Sequence, residues 1–186
     1  MADRIFFHHH LSPVGSLLLL SDGVALVGLY TPGDEANEVR RSVPPGAIRD
    51  AGPFREVAMQ LDRYFAGELT HFELPLRLSG THFQRSVWAE LSTIPYGNTI
   101  SYRDLATRIG NPRGVRAVGG ANGRNPVSII VPCHRVIGAG GDLVGYGGGL
   151  ACKRWLLAHE RALPSVEARR TKGYGSTTAR AVAVAR

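Results

Sequence analysis

The residues best able to do chemistry are gathered in Pro132-Cys133-His134-Arg135-Val136. A thiolate is a strong nucleophile, but burial in apolar surroundings disfavours the charged form and leaves a cysteine inert. Cys133 follows the apolar run Val127 to Val131, which alone describes such a buried thiol. His134 changes that reading, since an adjacent imidazole can take the thiol proton. Neighbouring side chains on a strand point to opposite faces, so the two must communicate through water or a bend. A third, acidic group should orient the imidazole, and Glu160 is the acid that follows Asp142 before the tail.

The chain has two cysteines, Cys133 and Cys152, too few for a disulfide scaffold or a four-thiolate zinc site, so a reducing compartment is expected. Three consecutive histidines, His8 to His10, invite a metal reading. On an extended strand they diverge, and exposed polar residues are expected there instead.

The elements that must position the site fall into two units. In the first, Ser16 to Leu20 and Val24 to Tyr30 flank Asp22-Gly23, a hairpin signal. Phe54, Val57, Leu61 and Phe65 recur at helical spacing until Gly67, and Phe72, Leu74, Leu76 and Leu78 alternate as in a strand with one buried face. This half shows no chemistry. It reads as a small α/β domain over residues 1–80.

At Thr81 the character changes. Thr81 with Gln84 is a capping-box pattern, and Phe83, Val87 and Leu91 follow on one helical face. After the turn Pro95 to Asn98, Ser101 caps a helix Tyr102 to Arg108, which Gly110, Asn111 and Pro112 end. A second helix starting near Pro112 would carry Arg113, Arg116, Ala117 and Gly119. Helix, short turn, helix is the layout of a helix-turn-helix. Each glycine weakens a helix by about 1 kcal/mol relative to alanine, so Gly119-Gly120 either ends this helix or permits close approach to another surface. Val127 to Val131 reads as a buried strand or extended segment leading to Cys133, and Lys153 to Glu160 as a final helix. The expected architecture is thus an α/β domain followed by a mainly α domain over residues 81–163. Residues 164–186 are expected to be a basic, disordered tail.

Charge distribution points to a polyanionic partner. Residues 1–80 carry seven Lys and Arg against ten Asp and Glu, a net of −3; residues 81–160 carry nine against four, a net of +5; residues 161–186 carry six against one, again +5. The formal total of +7 therefore arises in the second half, as a nucleic-acid contact requires. No apolar run reaches the roughly 18 residues of a membrane helix, and the start lacks a signal-peptide layout, so a soluble, cytoplasmic protein is expected.

Taken together, these residues carry a resemblance. Pro132-Cys133-His134-Arg135-Val136 resembles the active-site motif of the O6-alkylguanine-DNA alkyltransferases, also called methylated-DNA protein-cysteine methyltransferases. Phe83 with Val87-Trp88, Ile94 to Gly97, Ser101-Tyr102, Arg116 to Gly119, Asn125-Pro126, Gly145 to Leu150 and the Lys153 to Glu160 helix resemble the family in order and spacing, across 81–160. The first 80 residues are similar only weakly.

The resemblance implies repair of double-stranded DNA by irreversible, single-use transfer of an alkyl group from O6 of guanine to Cys133, with O4-alkylthymine as a second substrate left open. The damaged nucleotide must be flipped out of the duplex. By the same resemblance, the helix with Arg116, Ala117, Gly119 and Gly120 enters the minor groove, Arg113 and Arg124 add DNA contacts, and Arg116 fills the space of the extruded base. His134 accepts the thiol proton through water, Glu160 holds its tautomer, Tyr102 donates to the leaving guanine, and Asn125 braces the turn. Backbone groups near Val136, Tyr146 and Gly147 read the base edge. A monomer is implied, with cooperative assembly on DNA open.

Two departures matter. Gly147 stands where some members have a serine, so a hydroxyl contact is lost and larger substituents should enter. Some members bind zinc through N-terminal Cys and His ligands, but here no cysteine precedes Cys133, and neither metal nor cofactor is expected. Competing readings are a non-catalytic alkylated-base sensor, a Cys-His-Glu hydrolase and a DNA-binding regulator. Cys133 counts against the first, and the helix-turn-helix against the second.

Overall fold

In the computed structural model, whose described residues are 4–33 and 42–164, the leucine run becomes a central strand of a small sheet. Strands β1 (Phe6–Ser12), β2 (Gly15–Ser21), β3 (Leu26–Tyr30) and β4 (Ile48–Arg49) lie in the order β3-β2-β1-β4. The β1-β2 and β2-β3 pairs are antiparallel, and β4 joins β1 in parallel. Leu17 to Leu20 are all buried, so β2 is covered on both faces, the setting in which a strand reads as a continuous apolar run. The hairpin between β2 and β3 falls at Asp22-Gly23 but is looser than a two-residue turn: Ser21 pairs with Leu26, Asp22 Oδ1 accepts from the amides of Val24 and Ala25, and of the pair only Gly23 has a positive φ, 92°.

Helix α1 (Arg55–Phe65) enters through a 3-10 turn at Gly52–Phe54 and buries Val57, Leu61 and Tyr64. The stretch 72–78 corrects the strand expectation. Its side chains alternate between half-buried and exposed, but the backbone pairs through a single bridge, Leu26 with Leu76, because Pro75 interrupts the ladder. The histidines also differ from expectation. His9 is exposed, whereas His8 lies against Phe54 and His10 stands 3.0 Å from Asp62, because alternate residues of β1 face inward.

The second unit opens with α2 (His82–Leu91), whose capping box joins Thr81 and Gln84 in both directions. Strand β5 (Ile100–Ser101) leads into α3 (Tyr102–Arg108), capped by Ser101 with Asp104. Helix α4 (Val115–Asn122) begins three residues later than Pro112, so Arg113 lies in the preceding turn and not on the helix. Gly119 and Gly120 lie inside α4, which rules out the reading that the helix ends at them. Trp88 Nε1 donates to the carbonyl of Ala121 at 2.9 Å and fixes α2 against α4.

Val127 to Val131 is buried but is not a strand; apart from one bridge to Leu29 it folds into turns, with Ile129 at φ of 70°. Cys133–Arg135 forms a 3-10 turn, followed by β6 (Val136–Ile137) and then α5 (Gly149–His159), with Glu160 at its C-cap. One apolar cluster joins Leu17 and Leu29 of the sheet to Trp88, Leu105, Val131 and Leu156 of the helical unit. Of the tail, only Pro164 falls within the described residues.

Candidate active site and nucleic-acid interface

Strand β5 pairs with β6 in parallel, Ile100 with Val136 and Ser101 with Ile137. This sets the start of α3 beside the chain leaving the Cys133 turn, and so brings Tyr102 to the mouth that opens beside the thiol's pocket. Asn125 shapes the other side of that turn. Its Nδ2 donates to the carbonyls of Val131 at 2.7 Å and Val127 at 3.3 Å, and its Oδ1 accepts from the Val127 amide at 3.0 Å. These bonds hold Ile129 in the left-handed region, where a β-branched residue costs about 1–3 kcal/mol.

The 3-10 turn supplies the bend between Cys133 and His134. Cys133 is 5% exposed and lines a cavity of about 220 Å³ with Tyr30, Asn122, Asn125, Tyr146 and Gly147. His134 points away into the interior, where its Nε2 lies 3.0 Å from Glu160 Oε1, and its Nδ1 has no protein partner among the described residues. The thiol therefore does not hydrogen-bond the imidazole directly. Arg135 also turns inward: Nε donates to Glu160 Oε2 at 2.8 Å, Nη2 to Oε1 at 2.9 Å, and Nη1 to the Ile94 carbonyl at 2.6 Å. Tyr64, from the sheet unit, donates to Glu160 Oε1 at 2.8 Å.

Electrostatics follow from this packing. Burial alone would raise the Glu160 carboxyl, but the bonds from His134 and Arg135 outweigh it and hold the group well below the usual carboxylate range. Burial lowers His134, and Glu160 only partly restores it, so the imidazole is neutral and able to take a proton. Burial pushes the Cys133 thiol up, opposed by the Asn125 side chain and the Lys153 charge. A base is thus needed to make the thiolate.

Lys153 is a site residue that sequence reasoning misses. It has no exposure, and its Nζ donates to the carbonyls of Val136 at 2.6 Å and Val144 at 2.9 Å and stands 5.9 Å above the Tyr102 ring. Burial lowers it to about 8. A signal exists in the spacing: Lys153 precedes Leu156 and Leu157 by three and four positions and so shares their buried face. Val136 is turned from the cavity, its carbonyl engaged by Lys153, whereas Tyr146 and Gly147 line it. Tyr102, raised to about 12 by burial and then by Cys133, keeps its proton, and accepts from Asn122 Nδ2 at 3.4 Å. Asn122, also missed, is buried beside it and lines the same cavity.

From this cavity a mouth of about 490 Å³ opens past Tyr102, Gly119, Asn122 and Leu150. It continues into an apolar groove lined by Val115, Gly119, Ala139 and Val144 and rimmed by Arg103 and Arg116. Arg116 and Ala117 are exposed on α4, Arg113 and Arg124 flank it, and a Cβ on Gly119 would reach only ordinary contact, 3.8 Å from the Tyr102 ring. Glycine at 119 is thus not demanded by packing within the chain. Among the described residues no group of three His, Cys, Asp or Glu side chains is placed to hold a metal ion, and no helix is long and apolar enough to cross a membrane.

Comparison with known proteins places this geometry. Residues 82–162 match the DNA binding domain, and residues 5–78 the ribonuclease-like domain, of 6-O-methylguanine DNA methyltransferase. A methylated-DNA–protein-cysteine methyltransferase of Mycobacterium leprae is 52% identical over 150 residues, covering 81% of this chain and 88% of the relative. One from Methanosarcina acetivorans is 48% identical, covering 80% and 94%. The crystal structure of Mycobacterium tuberculosis OGT in complex with DNA superposes with a TM-score of 0.77 at 47% identity, covering 86% of this chain and 96% of that one.

Proposed function

The chain belongs to the 6-O-methylguanine DNA methyltransferase family, and on that premise we propose that it repairs DNA by moving an alkyl group from O6 of guanine to Sγ of Cys133. One observation carries the assignment of the acceptor: the buried Cys133, His134 and Glu160 series lies beneath a pocket that opens beside the glycine-containing helix α4.

In this reading α4 meets the minor groove, Arg116 takes the place of the flipped nucleotide, and the base enters between Tyr102 and Tyr146. The thiol proton passes through water to neutral His134, whose Nε2 is held by Glu160. The sulfur attacks the alkyl carbon, the S–C bond forms as the C–O6 bond breaks, and the electron pair stays with guanine. Tyr102 donates to the base as that charge develops. Lys153 and Asn122 join the site, the first by its charge beside Cys133 and the second by holding the Tyr102 hydroxyl. Arg103, Arg113 and Arg124 contribute phosphate contacts. The thioether is a poor leaving group, so each molecule acts once.

We divide the chain into a sheet domain at 1–80, an alkyltransferase domain at 81–163 and a tail at 164–186, a division supported by the capping box at Thr81. A cytoplasmic protein acting as a monomer, without metal or cofactor, fits the reducing chemistry that a free thiol needs. The test is mass spectrometry after mixing with an O6-methylguanine duplex. One methyl per molecule is expected on the Cys133 peptide. Methylation of Cys152 instead, or multiple turnovers, overturns the assignment.

A further inference from the structure

The sheet unit meets the catalytic carboxylate through Tyr64. Tyr64 is fully buried in the last turns of α1, and its hydroxyl donates to Glu160 Oε1, the same oxygen that faces His134 Nε2. The ring cannot swing away. Phe65, Phe72, Tyr96 and His159 surround it with centroids 5.1 to 6.2 Å distant, and His159 Nε2 bonds the Tyr64 carbonyl at 2.7 Å.

We propose that Tyr64 is a positioning residue of the reaction, through which the sheet unit tunes the His134 base by sharing Glu160 Oε1 with it. The inference rests on the functional reading above. Its physical basis is competition at one acceptor. Glu160 Oε1 accepts from His134, Arg135 and Tyr64, and each donor withdraws electron density that would otherwise hold a proton on the imidazole. Burial keeps Tyr64 protonated, and the Glu160 charge adds to that, so it acts as a donor only. The other charged or titratable groups around the carboxylate are Tyr96, His159 and Arg161, while on the pocket side Lys153 lowers the histidine and Cys133 is the adjoining thiol. With Tyr64 present, Glu160 orients His134 without capturing a proton on it. Without the hydroxyl, the less neutralised carboxylate favours imidazolium, which cannot accept the thiol proton.

The experiment is the pH profile of single-turnover methyl transfer from an O6-methylguanine duplex by the full chain. In Tyr64→Phe the acid limb should move up by about one pH unit, so that the rate on that limb falls about tenfold while the plateau at higher pH changes little. Incorporation of 3-fluorotyrosine at position 64 retains the shape and strengthens the donor, and should move the limb the opposite way. Phe72→Leu loosens the same cluster without touching Glu160 and should lower Tm with no shift. Profiles for Tyr64→Phe and the fluorinated protein that scale onto wild type without a shift overturn the proposal. Absence of transfer by wild type would instead remove the functional reading beneath it.

Discussion

Arg135 grips Glu160 at two points, Nε to Oε2 at 2.8 Å and Nη2 to Oε1 at 2.9 Å, where the carboxylate has no side-chain exposure. A buried charge stripped of its partner is expensive, whereas the pair itself adds little net stability. Arg135→Met should therefore lower the unfolding free energy by about 3–5 kcal/mol at pH 7 in urea titrations. The sign with pH follows from the depressed Glu160 carboxyl. Its contribution is fully present above the unfolded value of about 4.3 and is lost as pH falls below it toward the folded value. Glu160→Gln should be flatter than wild type through that range, and parallel curves would contradict the account.

Asn125 ties three backbone groups around the turn before Cys133. Asn125→Ala leaves buried amide and carbonyl groups unpaired, at a cost of about 2–3 kcal/mol, and should slow methyl transfer at least as strongly. Asn125→Asp keeps the acceptor for Val127 but turns an oxygen toward the Val131 carbonyl. It should be no better than alanine in transfer assays, and near wild-type transfer by the aspartate variant would remove the bracing role.

Lys153 makes a high-pH prediction. Burial lowers it to about 8 in the folded chain, against about 10.4 when unfolded. Between these values the unfolded state binds more protons, so the Lys153 contribution to stability rises with pH across the window. The wild-type advantage over Lys153→Met should grow by something on the order of 3 kcal/mol between about pH 8 and about pH 10.5. A constant difference in denaturation midpoints would show that the ammonium is not strained by burial.

Gly119 separates folding from binding. Alanine fits there, at ordinary contact with Tyr102, and should stabilise α4 by about 1 kcal/mol, or roughly 2–4 °C in Tm. The added methyl projects into the groove beside Arg116, so affinity for duplex DNA should fall. A variant that is both more stable and equally tight on DNA would mean that close approach is not why glycine is used.

Arg116 and Arg124 are both exposed, but only Arg116 rims the groove beside the pocket mouth. Arg124→Ala should reduce the salt slope of DNA binding by about 1, as one lost phosphate contact requires, whereas Arg116→Ala should weaken binding with a smaller change in slope. Arg116→Ala should in addition lose transfer from duplex DNA while retaining transfer from the free O6-methylguanine base. Equal losses on the two substrates would argue against a role in base extrusion.

Much of the fold was legible from local rules. The capping boxes at Thr81 and Ser101 form as read, and a hairpin at Asp22-Gly23 and a helix over Arg55–Phe65 form where read, because each depends on residues within one or two turns of each other. Where the structure departs from those rules, long-range packing is the reason. Val127 to Val131 has strand composition, but Asn125 and the core curl it into turns. The alternation from Phe72 to Leu78 holds in burial and fails in pairing, because Pro75 lacks a donor. Lys153 escaped notice because a lysine is rarely fully buried.

Residue types and short spacings were enough to define the chemistry available: a cysteine beside a histidine and an arginine, a later glutamate, and a helix lined with small residues beneath positive charge. Such features survive without coordinates. Which atoms meet was settled by tertiary packing. Packing of α5 within the helical unit turned His134 and Arg135 inward onto Glu160, across 26 and 25 residues, and packing between the units brought Tyr64 to the same carboxylate across 96. No local rule reaches that far, because contacts between units depend on how two apolar faces fit together over the whole chain.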